Sequence, residues 1–397
     1  MPQIKPDIET FARIKVIGIG GSGKNATNHM INSKVKGVEF LVVNTDVQDL
    51  HYSLANKKIH IGKNLTRGLG TGMNAELGRK AAEETKEEIQ EALKGSDMVF
   101  IAGGEGGGTC TGAAPFVAKT AKELGILTIA VVTKPFAFEG IQRGKMAEQG
   151  IEELRKNVDA IIVIPNDRLM AMVGKDMTLK NAFSICDDVL RQAVEGISDL
   201  ITTPGTINID FADIKAVVEN AGSALMGVGR ATGEKRAEEA AKMAISSPLL
   251  EVSINGAKGV LFSIAGSDDL TLFEIQEAAK IITESIDQNA KVIFGTIHTD
   301  KLKKGEIQIT VIASSFSDNA PKKSLFYSMN QQKEQKDEKE NKIEKLFSSS
   351  NQNEAKKEEA KEQKQETPVQ TDPKKTIKIE SEEDDWGPVP SFLRRKK

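Results

Sequence analysis

The chain has 397 residues, 39% of them hydrophobic and 5% aromatic, which suggests about two or three structural units. Its 54 basic side chains are offset by 57 acidic ones, so the net charge of −3 excludes the basic character typical of nucleic-acid-binding domains. The two cysteines, Cys110 and Cys186, form no spaced pattern, which favours a reducing compartment without disulfides. Neither a signal peptide nor a run near the roughly 20 apolar residues of a transmembrane helix is apparent, so we expect a soluble cytoplasmic protein.

The first half of the chain alternates short apolar runs with helical patterns. Five runs rich in Val and Ile predict buried parallel strands at residues 14–19, 40–43, 98–102, 127–132 and 160–164. Helical patterns lie at residues 75–93, 111–124 and 140–156. This alternation predicts a doubly wound α/β domain at residues 12–180, with a mostly parallel sheet and a ligand at the carboxyl ends of the strands.

A long central helix is predicted at residues 181–203, followed by a second α/β domain at residues 204–316. In this second domain we predict helices near residues 214–220, 237–245 and 272–286, and strands at residues 259–265, 291–298 and 306–313. These strands alternate apolar and polar residues more regularly than the first set. The alternation predicts a sheet with only one covered face.

The composition changes sharply near residue 317. Residues 317–380 consist mostly of Lys, Glu, Gln, Asn and Ser, which cannot bury enough apolar area to offset the entropy of ordering. This segment is predicted to be a disordered linker. Residues 381–397 contain the single tryptophan of the chain and a short apolar segment followed by four basic residues.

A first glycine cluster, residues 18–25, directly follows the first predicted strand. Its three spaced glycines match the dinucleotide-binding fingerprint. The same residues nearly match a P-loop, except that Asn25 stands where a Ser or Thr would hold Mg²⁺. A third interpretation is a generic phosphate cradle of backbone N–H groups at a helix start. The motif alone does not distinguish these three interpretations from one another. It is also compatible with a tight strand-to-helix turn that binds no ligand.

A second glycine cluster, residues 103–112, follows the third predicted strand and opens another helix. Two such loops at the carboxyl ends of neighbouring strands can enclose one polyphosphate, because glycine lets the backbone approach closely. Thr109 and Thr111 can add hydroxyl donors. A dehydrogenase needs only the first loop, and a P-loop enzyme would place its lysine and magnesium ligands differently. Neither explains the second loop.

Residues 106–115, GGGTCTGAAP, resemble the signature GGGTGTGAAP of the tubulin/FtsZ family of GTPases. Further blocks agree in order and spacing at residues 44–46, 65–70, 134–140 and 208–213. The resemblance spans roughly residues 12–316. It implies a cytoskeletal GTPase that polymerises head to tail and forms the cell-division ring.

Carried over residue by residue, the resemblance implies GTP-binding roles for two phosphate loops, a ribose-contacting pair and the residues around the base. These are Gly20, Gly21, Ser22, Gly23, Lys24, Asn25, Gly107, Gly108, Thr109, Cys110, Thr111, Glu139, Arg143, Asn166, Phe183 and Asp187. The spacing of Glu139 and Arg143 predicts one shared helix face, and Phe183 is expected to stack on the base. An aspartate carboxylate can accept hydrogen bonds from both the N1–H group and the N2 amine of guanine. Asp187 is the expected base reader, with Asp188 as the alternative.

No complete hydrolytic centre is apparent beside the predicted phosphate loops. The resemblance implies that the next subunit supplies the missing groups, Asn208, Asp210 and Asp213. Their carboxylates would position the attacking water, while Mg²⁺ held by the phosphates rather than by a protein metal site would offset the charge. Capping of the following helix is the alternative role for Asp210 and Asp213.

Residues 381–397 carry a second resemblance, to the C-terminal peptide of FtsZ-type proteins, which implies a partner-binding peptide. The matching residues are Val389, Pro390, Phe392, Leu393 and Arg394. The match implies docking onto membrane-tethering division proteins, and hence a cytoplasmic location at the division site of the inner membrane. Many copies along a filament would strengthen such a weak contact.

Cys110 departs from the family signature, and Glu105 lies beside the same loop. Met73 and Ala75 depart from the Gly and Pro that are usual in the γ-phosphate-sensing loop, which the resemblance places around residues 70–74. Cys110 replaces a glycine, which predicts strain if that position needs φ > 0 and a lowered thiol pKa beside a helix N-terminus. Glu105 would oppose a γ-phosphate if it faced one. Two alternatives therefore stay open: an NAD-dependent oxidoreductase with Glu39 on the ribose, and a nucleotide-binding scaffold without turnover.

Overall fold

The computed structural model describes residues 12–171, 177–203, 205–247, 254–267, 269–299, 302–303 and 305–316. The predicted linker at 317–380 and the peptide with Val389, Pro390, Phe392, Leu393 and Arg394 lie outside the described residues. Across the ranges that are described, no helix combines the length and the apolar character needed to cross a membrane.

In the described part of the chain, ten strands form a single sheet. They are β1 (Ile14–Ile19), β2 (Val38–Asn44), β3 (Lys57–His60), β4 (Met98–Gly104), β5 (Leu127–Lys134), β6 (Ala160–Pro165), β7 (Gly222–Thr232), β8 (Ala257–Gly266), β9 (Lys291–His298) and β10 (Glu306–Phe316). Their order is β3-β2-β1-β4-β5-β6-β7-β10-β8-β9. All neighbours from β3 to β7 are parallel, β10 is antiparallel to β7 and β8, and β9 is parallel to β8. The mostly parallel, doubly wound architecture is confirmed.

The strands are connected mainly through helices. Within the described residues these are α1 (Gly20–Asn32), α2 (Val47–His51), α3 (Lys63–Thr66), α4 (Ala75–Glu84), α5 (Lys86–Leu93), α6 (Gly108–Glu123), α7 (Ile141–Arg155), α8 (Asn166–Ala171), α9 (Leu179–Thr202), α10 (Phe211–Val218), α11 (Arg236–Ile245) and α12 (Leu272–Glu284). A short 3₁₀ helix at Ala137–Glu139 precedes α7.

Strands β1, β2, β4, β5 and β6 bury side chains on both faces of the sheet, because successive side chains point to opposite faces and helices cover each face. Val16 and Phe100 belong to one hydrophobic cluster with Leu190 of α9. Ile17 belongs to a second cluster with Val117 of α6. Nearly continuous Val and Ile runs are therefore required, and the predicted strands of this half are found as expected.

The second half of the sheet is also covered on both faces, so the prediction of one covered face is wrong. Leu261 of β8 packs in the cluster of α9 and α10, with Ile214. Phe262 faces the other way, into the cluster of α11 and α12, with Ile282. The polar alternation in the sequence did not reveal that a second helical layer covers these strands.

The two halves join at β6 and β7, which pair through three residue pairs between residues 160–162 and 222–224. The helix α9 has 24 residues and packs against α1, β5 and β9, so it spans both halves. It begins and ends within two residues of the predicted central helix.

The outer strands of the sheet are β3 and β9. β3 has four residues and includes Lys57 and Lys58. Along β9, the Thr296 amide donates to the Ile207 carbonyl at 3.0 Å, and the Ile207 amide donates to Thr296 Oγ1 at 2.9 Å. The segment that leads into α10 therefore lies against β9.

Candidate nucleotide-binding site

Two helices begin beside each other where the order of the sheet reverses. β1 and β4 are adjacent and parallel; α1 starts at Gly20 directly after β1, and α6 starts at Gly108 shortly after β4. Neither helix has a side-chain cap at its N-terminus. The first N–H groups of a helix have no intrahelical acceptor and carry partial positive charge. The crevice between β1 and β4 is therefore suited to an anion.

The two glycine clusters form the walls of this crevice and contact each other. Gly20 has φ +71°, and a β-carbon there would lie 3.4 Å from the Cys110 nitrogen. A β-carbon on Gly23 would lie 2.5 Å from the Ala102 carbonyl oxygen, so only glycine fits. Gly107 differs, because the space around its β-carbon position is open within 4 Å. The exposed positions on the first loop are Gly21, Ser22 and Asn25.

Three threonine hydroxyls converge at the start of α6. Thr109 Oγ1 lies 2.9 Å from Thr45 Oγ1 and 3.3 Å from Thr71 Oγ1. A β-carbon on Gly108 would lie 2.6 Å from the Asn74 nitrogen, which places the loop before α4 against the second glycine cluster. No individual role was predicted for Thr45 or Thr71, although Thr45 lies in a block that matches the family and Thr71 lies in the loop that resembles the γ-phosphate-sensing loop.

Thr111 and Lys24 have structural partners inside the loops. Thr111 is buried, and its Oγ1 accepts the Gly106 amide at 2.9 Å, which fixes the shape of the second loop. Lys24 is also buried, and its Nζ lies 2.6 Å from Asp49 Oδ1 on α2. Both side chains therefore serve the geometry of the loops.

Glu139 and Arg143 form the expected ion pair, with Arg143 Nη1 2.5 Å from Glu139 Oε2. The prediction that they share one helix face is wrong, because Glu139 lies in the 3₁₀ helix and α7 begins at Ile141. Gly140, with φ +102°, separates the two elements. Glu139 Oε1 also accepts the Phe136 amide at 3.1 Å, which fixes the carboxylate at the entrance to α7.

An aromatic side chain and a buried amide lie on the elements after β5 and β6. Phe183 on α9 is 41% exposed and meets Phe136 edge-on at 5.3 Å between ring centroids. Asn166, at the start of α8, is buried, and its Oδ1 has no hydrogen-bond partner among the described residues. An unpaired buried acceptor is costly. A ligand N–H that fills it would be bound favourably, so the site fits a base with donors on its edge.

The two adjacent aspartates of α9 differ in their partners. Asp188 accepts hydrogen bonds from Arg191 Nε at 2.8 Å and Gln192 Nε2 at 2.6 Å, and His29 Nε2 lies 3.4 Å away. Burial alone would raise the pKa of Asp188, but these hydrogen bonds hold it below its ordinary value. Its carboxylate is therefore already occupied.

Asp187 makes no hydrogen bond or ion pair with the described residues. Burial raises its pKa to about 6, and the nearby His29 and Lys24 only partly offset this shift. A carboxylate that is desolvated but unpaired gains most from donors on a ligand. Of the two aspartates, Asp187 is the one available to read a base.

The backbone conformation and the thiol pKa of Cys110 both differ from the predictions made from the signature. It lies inside α6 and is absent from the described residues with positive φ, so the predicted backbone strain is wrong. Burial raises the pKa of its thiol well above the ordinary value, and the neighbouring Glu105 adds to the shift. The predicted fall in the thiol pKa is therefore also wrong, because the sulfur lies under the loop rather than in the crevice.

Glu105 is buried beneath the second glycine loop. Its Oε1 accepts from the Cys110 thiol at 3.7 Å. A β-carbon on Gly150 of α7 would lie 2.5 Å from its Oε2, which has no hydrogen-bond partner among the described residues. The carboxyl group thus points toward α7. The expected opposition to a γ-phosphate does not follow from this geometry.

The burial of Glu105 predicts a specific pH dependence of stability. Burial raises its pKa from 4.5 to about 7, and hydrogen bonds involving Thr111 and Cys110 counter this only in part. Between these values the folded protein holds a proton that the unfolded chain has lost. The free energy of unfolding should therefore fall by roughly 3 kcal/mol as pH rises from 4.5 to 7, then level off.

Urea unfolding of the wild type and of Glu105→Gln at pH 5 and pH 8 measures this contribution. The amide keeps the shape of the side chain but cannot ionise. The variant should lose most of the decrease that the wild type shows between the two pH values. Equal decreases in both proteins would contradict the assignment to Glu105.

Asn208, Asp210 and Asp213 lie elsewhere in the subunit. All three are exposed, and Asn208 Oδ1 accepts the Gly205 amide at 2.7 Å. The helix α10 packs on β8 and β9, and β8 is five strand positions from β4, or roughly 24 Å at the usual strand spacing. These residues are therefore separated from the glycine loops of their own chain.

The capping role of the two acids is not what the structure shows. Asp210 occupies the N-cap position of α10, but its side chain makes no capping hydrogen bond. Asp213 lies in the first turn of the helix, where a negative charge favours the helix dipole. Both carboxylates stand exposed at the surface.

The oxidoreductase interpretation fails on the position of Glu39. This residue lies near the start of β2, paired with Lys15 at 3.5 Å, whereas the glycine loops follow the carboxyl ends of the strands. Five residues of extended strand, about 16 Å, separate Glu39 from Asn44 at that end. Glu39 therefore lies at the amino end of its strand, opposite the crevice, and is too far away to hold a ribose bound there.

Comparisons with known proteins agree with the fold. The model of the Tubulin/FtsZ family GTPase domain matches residues 13–174, and that of the FtsZ family C-terminal domain matches residues 222–317. Two proteins from Haloferax volcanii share the fold. The structure of CetZ2, solved as a GTPγS-bound protofilament, is 20% identical with a TM-score of 0.67, and the match covers 83% of this chain and 99% of the CetZ2 chain. CetZ1, solved as a GDP-bound monomer, is 21% identical with a TM-score of 0.68, covering 78% and 96%.

A more similar structure is that of FtsZ from M. jannaschii, solved as an empty dimer. It is 46% identical to this chain with a TM-score of 0.74. The match covers 77% of this chain and 89% of the M. jannaschii chain. At this identity and coverage, together with the two family matches, the chain belongs to the tubulin/FtsZ family of polymerising cytoskeletal GTPases.

Proposed function

We propose that this protein binds GTP between its two glycine loops and hydrolyses it at the contact between successive subunits of a filament. The observation that carries the proposal is the pair of uncapped helix N-termini, α1 and α6, at the carboxyl ends of adjacent strands. Two helix ends aimed at one crevice can bind more than one phosphate group of a single nucleotide.

The remaining side chains suit the other parts of GTP. Backbone N–H groups from Gly20 to Asn25 and from Gly107 to Thr111 would hold the phosphates. Glu139 and Arg143 would contact the ribose and nearby phosphates. Asp187 and Asn166 would accept from the donors on the guanine edge, and Phe183 would stack on its face. The carboxylate of Asp187 favours guanine because adenine lacks the matching pair of donors.

The acids for hydrolysis would come from a neighbouring copy. Asp210 and Asp213 are exposed and uncommitted, so a second subunit could insert them into the crevice of the first. There they would position and polarise water, and Asn208 would assist through its amide group. Mg²⁺ bound to the phosphates would neutralise charge. Because the two surfaces differ, the contact repeats without closing and produces a filament.

The C-terminal segment would determine where in the cell the protein works. The segment Val389, Pro390, Phe392, Leu393 and Arg394 would dock onto membrane-tethering division proteins, and residues 317–380 would act as its linker. The protein would then work in the cytoplasm, at the division site of the inner membrane, in septation. This part rests on the sequence resemblance alone.

The proposal is tested by measuring phosphate release and light scattering together, over a range of protein concentrations with GTP and Mg²⁺. Turnover per subunit should rise steeply above a threshold concentration, because each active site needs two subunits. Binding of GTP, ATP and NAD compared side by side should favour GTP. Full turnover by dilute monomers would contradict the shared site, and assembly without phosphate release would indicate a scaffold.

A further inference from the structure

A buried ion pair connects the first glycine loop to the helix α2. Lys24 lies in α1, is 8% exposed, and directs its Nζ to Asp49 Oδ1 at 2.6 Å. The other oxygen of Asp49 accepts the Asn44 side-chain amide at 2.8 Å. A charged amine this deeply buried needs a partner, and Asp49 supplies one.

The pair stands directly beside the proposed phosphate position. A β-carbon on Gly21, which is exposed at the start of α1, would lie 3.6 Å from Asp49 Oδ2. The carboxylate is thus next to the helix end that would receive the phosphates. An anion bound there would be attracted by Lys24 and repelled by Asp49.

We infer that Asp49 is a positioning residue that tunes phosphate binding, because its carboxylate competes with the nucleotide phosphates for the ammonium group of Lys24. The inference rests on the proposed function of the crevice. Without nucleotide, Asp49 holds Lys24 in place and neutralises it. With a nucleoside diphosphate or triphosphate, the ammonium is shared, and part of the binding energy is used to weaken its contact with Asp49.

The competition has a consequence that distinguishes it from a purely structural role. Only ligands with phosphate groups compete for Lys24, so Asp49 should affect the affinity for GDP but not for guanosine. A residue that merely supports the shape of α2 and the loop would change both affinities together.

The test compares GDP and guanosine binding by calorimetry in the wild type, Asp49→Asn and Lys24→Met. Asparagine keeps the hydrogen bonding to Asn44 but removes the charge. We expect Asp49→Asn to raise the affinity for GDP about tenfold and Lys24→Met to lower it about tenfold or more. Guanosine affinity should stay within about twofold in Asp49→Asn, whereas Lys24→Met also removes a charge that favours ionised Asp187, so its guanosine affinity is measured as a separate baseline.

Glu39→Gln is the matched control, since it removes one negative charge at the opposite end of the strands. It should leave the affinity for GDP unchanged. A loss of both GDP and guanosine binding in Asp49→Asn, or no change in either variant, would overturn the inference. If the wild type bound neither GDP nor GTP, the proposed function itself would fail, which separates the two outcomes.

Discussion

An Asp210→Asn variant is expected to hydrolyse GTP about 10²- to 10⁴-fold more slowly than the wild type, which is the usual loss for a group that activates water. Dilute subunits should still bind GTP with unchanged affinity, because Asp210 lies far from the glycine loops of its own chain. Asp213→Asn should act in the same direction. Glu219→Gln, at the other end of α10, is the matched control and should retain wild-type turnover, since its Lys215 partner is a surface contact at 3.8 Å.

Mixing two inactive variants tests directly whether the site is shared. Asp210→Asn subunits retain the nucleotide crevice, whereas Asp187→Ala subunits retain the acids but should bind GTP poorly. In a mixed filament, acids from the second variant face GTP held by the first. Phosphate release should then recover partly on mixing. If it remained at the sum of the two separate rates, hydrolysis would not use a neighbouring subunit.

A Gly112→Ala variant is expected to unfold far more easily than the wild type. The β-carbon would overlap the Ala75 carbonyl oxygen, and it would lie 2.6 Å from the Arg79 nitrogen. Both obstacles belong to the backbone of α4, so α4 and α6 would have to separate. Overpacking of this kind costs about 1–3 kcal/mol and more against rigid backbone, so we expect a loss near 3 kcal/mol.

Gly144→Ala is the control for this substitution. It is also a helical glycine, but the space around its β-carbon position is open within 4 Å. Alanine there should raise the free energy of unfolding by about 0.5–1 kcal/mol, since it removes freedom from the unfolded chain. Thermal and urea unfolding of both variants measure the contrast. A Gly112→Ala protein as stable as Gly144→Ala would contradict close packing of α4 on α6.

The strands of the first half could be predicted because burial on both faces leaves uninterrupted apolar runs. β7 could not, because its glycines at positions 222, 227 and 229 are typical of loops. The structure explains why glycine is needed at two of these positions. The helix α11 packs directly on this strand, and β-carbons on Gly227 and Gly229 would overlap its carbonyl oxygens. Such close packing between distant segments leaves only a misleading local signal.

The candidate site was predictable where chemistry lies in contiguous residues and hidden where it depends on the fold. The two glycine clusters indicated a phosphate site because each directly follows a predicted strand. Asp49, by contrast, becomes relevant only through its contact with Lys24. The choice between Asp187 and Asp188 had a usable signal, because Arg191 and Gln192 lie three and four residues after Asp188 on one helix.

The edge strands of the sheet matter for a protein whose family forms polymers of many subunits. An exposed edge strand can pair with the same edge strand of another molecule and lead to aggregation. β3 limits this with only four residues and two lysines, and the backbone of Ile207 occupies part of the outer side of β9. Lateral pairing of crowded subunits through these two edge strands is thereby limited.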